Sequence, residues 1–223
     1  VVPAIAQAAR AATKALAKIA AGKSGPFAGE DEESLTYRDG FLMNEKGRRA
    51  SIADVLTAAS LERVQGEGES AEGEEAERYT FRCFGAHFVE VRWDLGIARL
   101  RVSRVVSAFD VGRVINRKTA ANQIYGSILM GIGMARLEES VYDSRDGHVV
   151  TDNVADYLMP VHADTPEMDI HFLDIPDPHV GEFGARGIGE IGITGMGGAI
   201  LNAIYHATGK RVRELPVRIE ALL

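Results

Sequence analysis

Glu190 is the only acidic residue in the glycine-rich run from Gly184 to Gly198. Glycines let a backbone turn sharply and approach a ligand closely. A carboxylate set among them is a candidate general base at the floor of a site. An apolar helical pattern follows at once, with Ile193, Met196, Ile200, Ala203 and Ala207 recurring every three or four residues and Ile204 alongside. Thr194 or Gly195 can cap its start. Three readings of the run compete. Gly187, Gly189 and Gly192 formally match the dinucleotide motif GxGxxG, but that motif needs a strand before it, and Pro176 to Phe183 reads as loop. A tight turn with close helix packing would leave Glu190 merely solvated. The third reading makes Glu190 catalytic.

Gln123 is the second candidate. Asn116 is a plausible N-cap for a helix from about Arg117 to Glu138. From Ile124 onward that helix is apolar almost all round, which predicts burial. Gln123 would then be a buried amide, and an unpaired one costs about 1–3 kcal/mol. The ordinary alternative is a core glutamine bonded to backbone. Gly126, Gly131 and Gly133 each cost about 1 kcal/mol relative to Ala inside a helix, so something is expected to approach this backbone closely.

These residues need elements to position them. Pro3 to Ala21 reads as an alanine-rich helix with one apolar face. A short hairpin follows, Leu35–Tyr37 with Phe41–Met43 around Arg38-Asp39-Gly40. Ser51 can cap a second helix bearing Ile52, Val55, Leu56 and Ala59. Tyr79 to Phe109 predicts a long antiparallel hairpin turning at Asp94-Leu95-Gly96, with both faces at least partly covered. Tyr142 to His148 is a turn-rich connection, and Met168 to Leu173 a short strand. The fold class is α+β: a long antiparallel β-hairpin sheet with packed helices. Residues 1–65 form an N-terminal helical segment with its hairpin, 66–78 an acidic flexible linker, and 79–223 the main lobe. The linker reading rests on Gly66 to Glu77, acidic at half its positions and without a large hydrophobe.

Composition narrows the class. The 223 residues carry a net charge of −7 and no concentrated basic face, which argues against nucleic acid and anionic membrane. The apolar run Ile124 to Ala135 is too short to span a bilayer. Cys83 is the single cysteine, so an internal disulfide is excluded and an iron–sulfur cluster lacks thiolates. The six histidines lack the paired spacing of a zinc site, no metal ligands are assigned, and no GxSxG elbow supports a hydrolase. A chain opening on Val1 rather than Met reads as a processed or excised piece. Nothing directs export, so a cytoplasmic location is expected, or a periplasmic one through a partner subunit.

Six ordered segments carry a more specific signal: 84–91 (FGAHFVEV), 109–116 (FDVGRVIN), 122–126 (NQIYG), 130–135 (MGIGMA), 184–192 (GARGIGEIG) and 202–209 (NAIYHATG). Together they resemble the C-terminal part of the molybdenum-binding subunit of the xanthine dehydrogenase/aldehyde oxidase family, with bacterial aldehyde oxidoreductases nearest in detail. The resemblance implies that Glu190 is the base of a water-derived hydroxylation. Gln123 would hydrogen-bond the pterin, and Gly187, Gly189 and Gly192 would let the loop approach it. The implied cofactor is a molybdopterin-type molybdenum cofactor, in its cytosine dinucleotide form. Implied partners are the upstream half of the molybdenum subunit, iron–sulfur and FAD subunits, and an aldehyde or N-heterocycle substrate such as xanthine. Family subunits are several times longer, so the isolated fragment is expected to be inactive and to lack the cofactor. The alternative is a non-catalytic lobe or assembly module of the same fold.

Overall fold

The computed structural model describes residues 2–70 and 73–223, in two compact units that divide between Glu74 and Glu75. In the first unit, helix α1 (Val2–Ala21) buries Leu16, Ala17 and Ala20 with Phe27, Leu35, Leu42, Ala50 and Val55. Strands β1 (Thr36–Arg38) and β2 (Phe41–Met43) are joined by Asp39-Gly40 alone, both at positive φ. That is the tight turn whose twist matches the strands it joins. A third strand, β3 (Arg49–Ser51), pairs with β2 and lies beyond the expected hairpin. Ser51 caps α2 (Ile52–Ala58) in a reciprocal box with Asp54, worth about 1 kcal/mol.

The unit boundary falls inside the acidic stretch. Its two ends have definite structure. A Cβ at Gly66 or Gly68 would lie 2.2 Å from backbone atoms of α1. Residues Glu75–Arg78 form one helical turn, α3. Ala71 and Glu72 lie outside the described residues.

In the second unit, β4 (Phe84–Asp94) and β5 (Arg99–Asp110) form the expected long hairpin. Asp94 closes the turn by accepting from the Gly96 N–H. A bulge at Glu90/Val91 shifts the register, so Val102 and Val105 both reach the core. Strand β6 (Glu167–Phe172) adds to β5 in parallel, giving the order β4-β5-β6. Helices α4 (Arg117–Arg136) and α5 (Met196–Thr208) supply Ile124, Ile128, Ile132, Met196, Ile200 and Ile204 to the same core as Val105 and Phe109.

Two expectations of burial need correction. The second face of β4 is open: Phe84 is 63% and Phe88 68% exposed. Apolar residues on both alternate sets of a strand did not mean that both sets are covered. Helix α4 is likewise buried chiefly along one stripe, through Ile124, Ile128, Gly131, Ile132 and Ala135, with Gly133 covered separately by Glu138 and Pro160. Gln123, Gly126, Met130 and Met134 recur at helical spacing on its other side and are exposed. Gln123 is therefore a surface amide, not a buried one.

Candidate functional site

The glycine-rich loop begins where it pairs with the end of β5. Arg113 N–H donates to the Gly184 carbonyl (2.8 Å) and Arg186 N–H to that of Val111 (2.9 Å). A Cβ on Gly112 would sit 2.3 Å from the Gly184 oxygen, so this crossing needs glycine. The Arg186 side chain, only 12% exposed, then locks the crossing. Its guanidinium lies 2.5 Å from Asp110 and 3.5 Å from Asp177, and it donates to the Arg82 carbonyl at 2.8 Å. Cys83 donates its thiol proton to the Gly187 carbonyl (2.9 Å). Burial raises the Cys83 pKa, which keeps it a neutral donor.

The Arg186 guanidinium holds Asp110 below its ordinary value of 3.8. A carboxylate depressed in the fold adds stability above its unfolded pKa and loses it as pH falls through the folded one. Asp110→Asn is therefore expected to flatten the acid limb of thermal unfolding below about pH 4. Melting curves across pH 2–5 check this; an unchanged acid limb would show that the pair adds nothing.

Further along, the loop meets α4. The buried Ser127 hydroxyl lies 2.8 Å from the Gln123 carbonyl and 3.2 Å from that of Gly189. Gly192 packs so closely that a Cβ there would fall 2.7 Å from Ser127 Cβ. Gly192 thus has a packing reason to be glycine. Gly187 and Gly189 do not: a Cβ on either would meet nothing within 4 Å. Glu190 follows them with its side chain exposed, and its carbonyl accepts from Ile193 N–H at 3.2 Å. Gly195, at φ 83°, starts α5 as its N-cap.

The helix glycines divide in the same way. Met196 of α5 occupies the space beside Gly131, and Glu138 and Pro160 that beside Gly133. Gly126 faces open space. One turn away, the Gln123 amide has no hydrogen-bond partner among the described residues. One buried hydroxyl therefore joins the turn of α4 carrying Gln123 and Gly126 to the loop carrying Gly189 and Glu190.

The dinucleotide reading fails on context. The βαβ unit present is β5-α4-β6, and GxGxxG comes after it, led in by irregular chain rather than a strand. Asp143, Asp146 and His148 do bring possible ligand atoms within 4.8 Å of one another, a grouping the sequence did not suggest. Their contacts are the turn's own, to Arg145 and between Asp146 and His148. Ser127, Arg186 and His87 join the site only through the fold. The available signals were a hydroxyl inside an apolar helix and a histidine on the inward set of a strand.

Known proteins agree with this α+β cofactor-binding lobe. Residues 1–166 match the family described as the molybdopterin cofactor-binding domain. That span includes Gln123 and stops short of Glu190. The aldehyde oxidoreductase molybdenum-binding subunit PaoC of Escherichia coli K12 is 38% identical over 195 residues, covering 87% of this chain and 26% of PaoC. The putative xanthine dehydrogenase molybdenum-binding subunit XdhA of the same strain is 33% identical over 135 residues, 60% of this chain and 18% of XdhA. In structure, quinoline 2-oxidoreductase from Pseudomonas putida 86 superposes with a TM-score of 0.69 at 23% identity, over 93% of this chain and 27% of that one. The aldehyde oxidoreductase of Desulfovibrio desulfuricans ATCC 27774 gives 0.64 at 23% identity, over 98% and 22%. The chain belongs to the molybdopterin cofactor-binding domain family, as a molybdenum-binding part of the xanthine dehydrogenase/aldehyde oxidase kind. It spans about a quarter of the length of PaoC.

Proposed function

We propose that this chain is the C-terminal cofactor-binding part of a molybdenum hydroxylase that oxidises aldehydes or N-heterocycles. The observation that carries this is the bare surface around Ser127. Gly126, Gly187 and Gly189 offer backbone with open space beside it, and the Gln123 amide, one helical turn from Gly126, has no partner among the described residues. A flat, polar-edged pterin is the kind of group such a surface suits. Gln123 can donate to its acceptors or accept from its N–H groups. Gly187 and Gly189 leave room for it, while Gly192 holds the loop against α4. When bound, the molybdenum cofactor supplies two-electron redox chemistry and the activation of water. Glu190, projecting from the open part of the loop, takes up the proton released as the substrate carbon is hydroxylated.

The likeness to PaoC, over 87% of this chain, favours an aldehyde; that to XdhA keeps heterocycles in view. The dinucleotide form of the cofactor, the iron–sulfur and FAD partners and a cytoplasmic setting belong to the same proposal. With one cysteine, these residues cannot hold a cluster of their own.

Gly126→Leu separates ligand space from plain surface. In the chain alone the change should be neutral to stabilising, by up to about 1 kcal/mol, because leucine is the better helix former. Co-expressed with the rest of its subunit, the variant should lose most of its molybdenum and pterin fluorescence. Full metal and pterin content in that variant would remove this surface from the cofactor site.

A further inference from the structure

We infer that His87 is a positioning residue for the loop that carries Glu190, clamping the loop's C-terminal hinge through the Thr194 carbonyl. This rests on the reading of Glu190 as the base. His87 lies on β4, facing the core, with Nε2 3.1 Å from the Thr194 oxygen and Nδ1 2.7 Å from Ser107 Oγ. A carbonyl only accepts, so Nε2 must carry a proton. Burial disfavours the charged ring and lowers the His87 pKa, leaving Nδ1 an acceptor. The fully buried Ser107 hydroxyl must then donate to it. Tautomer and ring angle are therefore both set from β5. Phe109 adds an edge contact at 5.4 Å between centroids, which fixes the ring plane.

The hinge is where such a clamp acts. Thr194 precedes Gly195, whose left-handed backbone swings the chain into α5. Between Glu190 and that swing lie the turn closed by Ile193 N–H on the Glu190 carbonyl and, within it, Gly192 packed on Ser127. Fixing Thr194 therefore holds the far end of the turn on which the Glu190 side chain stands, its near end being held on Ser127. Two other side chains hold loop carbonyls upstream, Cys83 on Gly187 and Ser127 on Gly189. His87 holds the one carbonyl of the three that follows Glu190 in the chain.

Two variants test this. His87→Phe keeps a ring against Phe109 but cannot donate. His87→Gln can donate from its amide nitrogen to Thr194 and accept from Ser107 with its oxygen. Amide exchange through residues 188–195 is expected to quicken by up to about tenfold in His87→Phe, the loss of one net hydrogen bond, and to return toward the parent rate in His87→Gln. In the complete enzyme, kcat per molybdenum should fall about ten- to a hundredfold in His87→Phe, with KM within about twofold, and recover in His87→Gln. A merely structural histidine would lower the melting temperature while leaving loop exchange and kcat per molybdenum unchanged, and that result overturns the inference. Glu190→Gln run alongside separates the two ideas. If that variant keeps full turnover while His87→Phe loosens the loop, the clamp stands and the base is another group. If Glu190→Gln fails while loop exchange is unmoved in His87→Phe, the base stands and the clamp falls.

Discussion

Glu190→Gln in the complete enzyme is expected to lower kcat by about 10²–10⁴-fold or more, the usual contribution of a positioned general base. Glutamine keeps the size and a hydrogen-bonding group and removes only the basic oxygen. The parent side chain is exposed, on a loop whose flanking carbonyls are tethered by Ser127 and His87. Folding should therefore be nearly unchanged, within about 0.5 kcal/mol, as for other surface substitutions. Molybdenum content should also hold. Turnover per molybdenum is the quantity to measure. A variant that keeps its metal and turns over at the parent rate assigns the base elsewhere. One that loses its metal makes Glu190 a structural group at the cofactor instead.

The largest effect on stability is expected at Phe109. Truncating it to alanine should cost about 3–5 kcal/mol, the usual range for a fully buried phenylalanine. Its ring is completely enclosed, with His87 at its edge and Phe172 beside it at 6.3 Å. Gly85 is also shaped around it, since a Cβ there would come within 2.7 Å of the ring. Denaturant unfolding of the chain measures the loss. A cost under about 1 kcal/mol would mean that the neighbours collapse into the space, and that this layer of the core is looser than its burial implies.

Features set by short-range chemistry were legible in the sequence. The turn at Asp39-Gly40, the Ser51 cap and the Asn116 cap each depend on residues within four positions of one another. The β4-β5 hairpin was legible for the same reason, as two alternating runs around one turn. The partnership of β5 with β6 was not, because nothing local to either strand names the other. Burial is not legible where composition stands in for geometry. The apolar residues of α4 predicted a fully buried helix, yet its glycines and methionines fall partly on an open side. The main candidates of the site, Glu190 and Gln123, came from residue type and family resemblance. The side chains that tie their segments together did not, since Ser127 and His87 act through backbone carbonyls more than 60 positions away.

The parallel pairing of β5 with β6 also bears on how this unit assembles. Arg104 pairs with Glu167, 63 positions later, with α4 and a long irregular segment between them. The hairpin and α4 can form from contacts close in the chain, whereas β6 must first meet the entropy of closing that loop. During synthesis the edge of β5 that β6 will cover therefore stands open, its N–H and C=O groups unpaired, until the third strand emerges. Contacts of such long range slow folding and leave strand edges exposed while they form. The sheet that supports the site is thus open to mispairing with a neighbouring chain during that interval, and rapid production at high concentration is the condition under which this lobe is most exposed to it.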